Sequence, residues 1–124
     1  MENPIFTITD KVLSGNKRGS ELGFPTINMQ LTIEIPEGIY ISQTRIQENN
    51  YNSITFIGAA KTFNESKKLI ETNIFDFSQN VYDAVATVFL LKKIRDNIKF
   101  SSVNELIEQM NKDKKEAMQY FEGK

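Results

Sequence analysis

A chain of 124 residues is the size of one domain with a single hydrophobic core. Its net charge of −1 gives no basic field that would attract nucleic acid or an anionic membrane. The sequence contains no cysteine and no histidine, which excludes disulfides, thiolate nucleophiles, Ser-His-Asp catalysis and imidazole metal sites. What remains is hard-oxygen chemistry, which suits magnesium and phosphates. Without a signal peptide plan or an apolar run of roughly 18–20 residues, a cytoplasmic location is expected.

The first two thirds of the chain are predicted to form six short strands, because β-branched and aromatic residues recur between turn signals. Pro36-Glu37-Gly38 is one such turn signal. At Glu48-Asn49-Asn50 the tolerance of asparagine for positive φ predicts a hairpin turn. A further turn is predicted at Ser78-Gln79-Asn80. The predicted strands are 5–14, 26–31, 38–47, 51–59, 69–77 and 81–93.

The last predicted strand, 81–93, is apolar on both faces, so another element should pack over its outer side. A C-terminal helix would supply this cover. Ser102 and Glu105 match the S-x-x-E capping box at its start. Its apolar residues recur at helical spacing: Val103, Leu106, Ile107, Met110, Ala117, Met118 and Phe121. Six strands followed by one helix predict a mainly β fold, a small closed or nearly closed barrel with the helix over an open flank.

Three glycines four residues apart, Gly15, Gly19 and Gly23, match neither the Rossmann nor the P-loop spacing. With Lys17 and Arg18 between them, they could form a loop whose backbone closely approaches a phosphate. The alternative is a long exposed hairpin in which the glycines only permit the turn, and the spacing alone favours that alternative.

Thr26 and Asn28 stand two residues apart, so in an extended strand they point to the same side. A hydroxyl and a carboxamide oxygen are neutral hard ligands, which hold magnesium only when ligand phosphates supply the negative charge. The alternative is that both side chains bond neighbouring backbone, and elementary physics favours that interpretation.

At this point the sequence resembles a known family. The segment KRGSELGFPTIN resembles the flap and strand of riboflavin kinases, G-[KR]-x-G-R-x-L-G-F-P-T-A-N, found in the C-terminal domain of bacterial bifunctional riboflavin kinase/FAD synthetases. Further blocks that match in order are GIY, FIG, IETNIFDF with VY, and IRDNIKF with SVNELIEQMNKD. The resemblance implies a riboflavin kinase domain over 1–124, a six-stranded Greek-key barrel with a C-terminal helix.

The implied reaction moves the ATP γ-phosphate, with Mg²⁺, to the ribityl 5′-hydroxyl of riboflavin, giving FMN and ADP. Thr26 and Asn28 match the family's magnesium–nucleotide ligands, and Glu71 matches its catalytic carboxylate. The residues that match the flap over the nucleotide phosphates are Gly15, Lys17, Arg18, Gly19, Gly23 and Pro25. Those that match the flavin side are Arg95, Phe100 and Leu106.

Alternatives remain open for these positions. Alone, Glu71 would be interpreted as a surface-facing strand carboxylate, and Arg95 as part of a plain surface ion pair. Met110 could line the flavin slot, but its place in the helical stripe favours the core. The implied partners are riboflavin and ATP alone, for a monomeric chain or one fused to or cut from an FAD synthetase domain. Nothing resembles the adenylyltransferase domain, so this chain is not expected to make FAD.

Four residues depart from the family pattern: Ser20 for an arginine, Lys61 within a motif that has lost its proline, Asn73 for a histidine, and Asp83 for a glycine. They favour a rival interpretation as a catalytically weakened flavin- or nucleotide-binding barrel with a regulatory role. The retained Thr26, Asn28 and Glu71 disfavour it, and a slow but active kinase is predicted. A nucleic-acid module would need a basic groove, which the scattered basic residues do not predict.

Overall fold

The computed structural model describes residues 3–13, 26–59, 68–76 and 84–123. In chain order, the elements of this part are β1 (Phe6–Lys11), β2 (Thr26–Gln30), β3 (Gly38–Ile46), β4 (Asn49–Ala59), β5 (Lys68–Ile74), β6 (Val85–Arg95) and the helix α1 (Val103–Glu122). The strands form one antiparallel sheet in the order β1-β6-β3-β4-β5-β2. Since β3, β4 and β5 follow one another and β6 returns beside β3, the connection is a Greek key. The mainly β prediction is confirmed.

The sheet curls until its edge strands β1 and β2 approach each other. Leu13, just beyond β1, forms an antiparallel bridge with Asn28 of β2. The backbone N–H of Leu13 donates to the Asn28 carbonyl at 2.7 Å. The curled sheet encloses the main core, formed by Ile8, Val12, Ile27, Met29, Ile35, Tyr40, Ile46, Ile57, Ile70, Ile74, Ala86, Val88 and Leu90. A nearly closed barrel, as predicted, is the result.

A line of hydrogen-bonded hydroxyls crosses the inner face of β3, β4 and β5. Its members are fully buried, and neighbouring hydroxyl oxygens lie 2.7–2.9 Å apart in the order Thr44, Ser53, Ser42, Thr55, Thr72. Each hydroxyl can donate once and accept twice, so such a line satisfies groups that would otherwise be costly to bury. These bonds add side-chain links between the three strands to their backbone ladders.

The turn between β3 and β4 differs from the predicted one. Gln47 and Glu48 carry the positive φ angles, 52° and 69°, while Asn49 already pairs with Ile46. Two central residues with positive φ are typical of a type I′ hairpin turn. Each non-glycine residue in this conformation costs roughly 1–2 kcal/mol. The continuous pairing of β3 with β4 along its whole length outweighs this local cost, so the prediction of asparagine at the turn is wrong.

The N-cap of α1 is Ser102, as predicted, and its Oγ accepts from the backbone N–H of Glu105 at 3.2 Å. The return contact of the capping box differs, because the Glu105 carboxylate accepts from the N–H and the Oγ of Ser101, at 3.1 and 2.8 Å. These two bonds, the hydroxyl one first, lower the pKa of Glu105 from its ordinary 4.5. Glu105 therefore caps the residue before the N-cap rather than the N-cap itself.

The helix packs on the outer face of β3 and β4 rather than along β6. A second cluster joins Ala117 of the helix to Ile41 and Phe75, with Ile54, Ile94, Tyr120 and Phe121 packed against it. Of β6, the cluster includes only Ile94, near its end, whereas Val85 stays 55% exposed. The prediction that the helix covers the outer side of the last strand is therefore wrong for its first half. The predicted stripe members Val103 and Met118 are also exposed.

Candidate functional site

The outer face of β2 and β5 brings together four polar side chains. The antiparallel register places Thr26 opposite Asn73 and Asn28 opposite Glu71. Directly opposed residues share a face of the sheet, and so do residues two apart along one strand. The four side chains, which we name the polar quartet, therefore form a two-by-two group. Thr26 and Asn28 share a face as predicted, and the pairing adds the predicted catalytic carboxylate to the same face.

An apolar floor continues from the polar quartet across the next two strands. On β4, Phe56 lies opposite Glu71 and Ile54 lies opposite Asn73. On β3, Ile39 lies opposite Phe56. The Phe56 ring covers the backbone at Gly58, where an added Cβ would come within 2.3 Å of the ring Cζ. The glycine thus allows the ring to lie low against its own strand.

The polar quartet and the floor form one wall of a pocket of about 740 Å³. This size lies in the range of small-molecule and cofactor sites. The rest of the lining comes from Arg95, from residues 97–103 and from α1, which contributes Leu106 and Met110. The predicted flavin-side residues Arg95, Phe100 and Leu106 all line this pocket, as do Thr26 and Glu71. The structure thus brings the predicted flavin-side residues together with the predicted catalytic carboxylate.

Arg95 is held by a carboxylate of the helix. Its Nε and Nη2 donate to the two carboxylate oxygens of Asp113, at 2.9 and 2.7 Å. Gln109 donates to the same carboxylate at 3.0 Å, and the Arg95 Nη1 donates to the Asp96 carbonyl at 3.1 Å. The two ion-paired side chains are only 18% and 7% exposed. This two-point pair ties β6 to α1 beside the pocket, so the interpretation of Arg95 as a plain surface ion pair is wrong.

Sequence reasoning assigned no place in the site to Asp113 and Asn73, and it favoured the core for Met110. Asp113 stands in the apolar stripe of the helix, three residues after Met110 and four before Ala117. A charged residue at such a position is a signal for a buried ion pair. Asn73 follows Glu71 by two residues, which places both on one face in a strand. Met110 is half-buried and lines the pocket.

Thr26 carries an oxygen suited to a ligand or cation. Its Oγ1 is buried and has no hydrogen-bond partner within the part of the chain that the structure describes. The alternative, in which the Thr26 hydroxyl bonds neighbouring backbone, is thus not observed there. The same described residues contain no group of three or more acidic side chains that could hold a metal ion. The donor set therefore fits Mg²⁺ that arrives with the negative charge of a phosphate ligand.

Other predicted positions lie outside the described residues. These are the flap residues Gly15, Lys17, Arg18, Gly19, Gly23 and Pro25, the departures Ser20, Lys61 and Asp83, and the predicted turn at 78–80. Within the described ranges, no helix is both long and apolar enough to cross a membrane.

Comparisons with known proteins identify the family of the chain. Residues 3–121 match the flavokinase family, described as riboflavin kinase. The chain is 41% identical over 116 residues to the bifunctional riboflavin kinase/FMN adenylyltransferase of Bacillus subtilis, covering 89% of this chain and 37% of that protein. It is also similar to a solved structure described as a macrolide-efflux protein from Streptococcus pneumoniae, with TM-score 0.78, 33% identity, and coverage of 90% and 38%. The riboflavin kinase of Trypanosoma brucei shares the fold, with TM-score 0.66, 20% identity, and coverage of 94% and 79%.

Proposed function

The chain belongs to the riboflavin kinase family, and we propose that it transfers the γ-phosphate of ATP to the ribityl 5′-hydroxyl of riboflavin, giving FMN and ADP. One observation carries the proposal: Glu71 stands opposite Asn28 and on the same face as Thr26, where the polar quartet meets the apolar floor of the pocket. A carboxylate base and neutral oxygen ligands on one face, next to room for an aromatic ring system, suit phosphorylation of a flavin alcohol.

The transfer requires little covalent chemistry from the protein, because positioning and charge neutralisation supply most of the catalysis. Glu71 accepts the proton of the ribityl 5′-hydroxyl. The oxygen of that hydroxyl bonds to the γ-phosphorus while the bond from the γ-phosphorus to the ADP oxygen breaks. Mg²⁺, when bound with the nucleotide, supplies positive charge to the phosphate oxygens. Thr26 and Asn28 would hold it through their side-chain oxygens. Riboflavin and ATP are thus the proposed substrates, with Mg²⁺ as the cofactor. The cytoplasm is the proposed location of the reaction.

The flavin ring is proposed to lie between the apolar floor and the first turns of α1. Ile54 and Phe56 form one side of this slot, and Leu106 and Met110 form the other. Phe100 also lines the pocket, from the segment before the helix. With the ring in this place, the ribityl chain extends toward β5 and brings its terminal hydroxyl to Glu71. Arg95 supports the slot through Asp113, and the glycine segment 15–23 is proposed as the flap over the phosphates.

The activity is tested by incubating the purified chain with riboflavin, ATP and Mg²⁺ and measuring FMN and ADP by chromatography. Glu71→Gln keeps the shape of the side chain but removes the base, so kcat should fall by about 10²–10⁴-fold. Riboflavin binding, measured by quenching of flavin fluorescence, should change by less than about twofold, because the apolar slot stays intact. Glu108→Gln, at an exposed position of α1, is the matched control and should keep full activity.

Two results would contradict the proposal. Riboflavin binding without any FMN at high protein concentration would favour the alternative of a flavin-binding barrel with a regulatory role. FMN formation by Glu71→Gln at a rate close to that of the unchanged chain would remove Glu71 from the reaction while keeping the kinase activity.

A further inference from the structure

Asn73 lies where the polar quartet meets the apolar floor. On one side it faces Thr26 of β2, and on the other it faces Ile54 of β4. Its side chain is half-buried and lines the pocket. The buried Oγ1 of Thr26 has no hydrogen-bond partner among the described residues, so the carboxamide of Asn73 is not bonded to it. Asn73 thus lines the pocket from the same strand as the proposed base.

The spacing of Asn73 from Glu71 suits a short polyol chain. Two residues along a strand place their Cα atoms roughly 6.5–7 Å apart, with both side chains on one face. When a terminal hydroxyl is bonded to Glu71, the span of a few carbons along the same chain is long enough for inner hydroxyls to reach hydrogen-bond distance of the Asn73 side chain. A carboxamide offers two donors and one acceptor. It can therefore donate to one hydroxyl and accept from its neighbour, whereas a carboxylate can only accept and an apolar side chain can do neither.

We propose that Asn73 is a specificity-determining residue that binds the inner hydroxyls of the ribityl chain and so selects a polyhydroxylated flavin as phosphoryl acceptor. This inference rests on the proposed kinase function and names how its site recognises the acceptor. Asn73 also remains uncharged at every pH. A carboxylate there would repel both Glu71 and the phosphates.

The test compares two acceptors that share the ring and the reacting alcohol. Riboflavin carries the inner hydroxyls, whereas 10-(5-hydroxypentyl)-7,8-dimethylisoalloxazine has only the terminal one. The kcat/KM of the unchanged chain should be about 10–100-fold higher for riboflavin than for the hydroxypentyl flavin, because about two hydrogen bonds to the inner hydroxyls are lost with the latter. Asn73→Leu, which has a similar volume, should lose that factor on riboflavin and stay within about twofold on the hydroxypentyl flavin. The preference should therefore collapse.

Controls separate recognition from damage to the fold. Asn52→Leu, the same change at an exposed position of β4, should leave both kcat/KM values within about twofold. If Asn73→Leu does not fold, Asn73→Ala makes the same comparison with less added apolar surface. An equal loss on both acceptors would overturn the inference, because Asn73 would then act without contact to the inner hydroxyls.

A failure of the proposed function would look different. If the unchanged chain forms no FMN, the kinase proposal fails, and the same pair of flavins is compared through the Kd from fluorescence quenching. A preference for riboflavin that disappears in Asn73→Leu would support hydroxyl binding by Asn73. A preference that survives the substitution would overturn it.

Discussion

The ion pair between Arg95 and Asp113 joins the end of β6 to the middle of α1, and Asp113→Leu removes one partner from it. Three donated bonds, two from Arg95 and one from Gln109, then lose their acceptor. The Arg95 guanidinium keeps its bond to the Asp96 carbonyl but loses its counter-charge in a site where its side chain is 18% exposed. We expect both a loss of stability and a displaced wall of the pocket.

The size of the loss follows from this burial. Removing one partner of a fully buried pair costs about 3–5 kcal/mol, since the other charge is left uncompensated. Water reaches part of Arg95, so about 2–4 kcal/mol is expected here. At about 2.1 cal/mol/K of unfolding entropy per residue, each kcal/mol corresponds to about 4 °C in a chain of this length, and Tm should fall by about 8–15 °C. Arg95→Met combined with Asp113→Leu removes both charges and should recover about half of this loss or more.

Urea unfolding at pH 7 measures these changes. Glu108→Leu is the matched control on the same helix, because Glu108 and Lys112 lie 3.7 Å apart with side chains 71% and 68% exposed. This exposed pair should contribute less than about 0.5 kcal/mol. The pair does not stabilise the fold if Asp113→Leu costs no more than Glu108→Leu. The same conclusion follows if the loss of stability in the double variant equals the sum of the losses in Asp113→Leu alone and Arg95→Met alone.

Two further predictions concern the pocket floor and the start of the helix. Gly58→Ala should raise the KM for riboflavin about 3–10-fold and leave the KM for ATP unchanged. The new Cβ would lie 2.3 Å from the Cζ of Phe56, so the ring would be pushed away from its strand and into the flavin slot. Equal effects on the KM of both substrates in the FMN assay would contradict this prediction. The hydrogen bonds from Ser101 lower the pKa of Glu105 in the folded chain. The ionised Glu105 carboxylate therefore stabilises the folded state at pH values above its pKa in the unfolded chain, and this contribution is lost as the pH falls through its pKa in the folded chain. The unchanged chain should therefore be more stable than Glu105→Gln in urea at pH 7, and this difference should shrink toward pH 3; a difference independent of pH would refute the capping role.

The sequence predicts those features of the fold and site that depend on local periodicity. Alternation along 26–30 places Thr26 and Asn28 on one face, and the S-x-x-E pattern places the start of the helix at Ser102. The register of β2 against β5 is not local, because it depends on how the inward residues of the whole sheet pack. The pairing of Asn28 with Glu71 therefore could not be derived from spacing, and the family resemblance implied only that the two residues act in the same site.

The errors of prediction have the same origin. Asparagine prefers positive φ more than glutamine or glutamate does, yet the pairing of β3 with β4 places the turn at Gln47 and Glu48. A charged residue on a helix is usually solvated, yet Asp113 is buried because Arg95, from another element, meets it. Each outcome is decided by a partner that is distant in sequence, which local preferences cannot identify.

The pocket lies outside the barrel, yet its geometry is fixed from within. Thr72 stands between Glu71 and Asn73 on β5 and points inward, and Thr55 stands in the same way between Ile54 and Phe56 on β4. The two hydroxyls bond each other at 2.9 Å, directly beneath the place where the polar quartet meets the apolar floor. A slip of β5 against β4 would break this buried bond. Thr55 would keep its bond to Ser42, but Thr72 would lose its hydroxyl partner, at a cost of about 1–3 kcal/mol for the unsatisfied group. The same slip would move Glu71 away from Phe56, so side chains in the interior keep the proposed base in register with the proposed flavin slot.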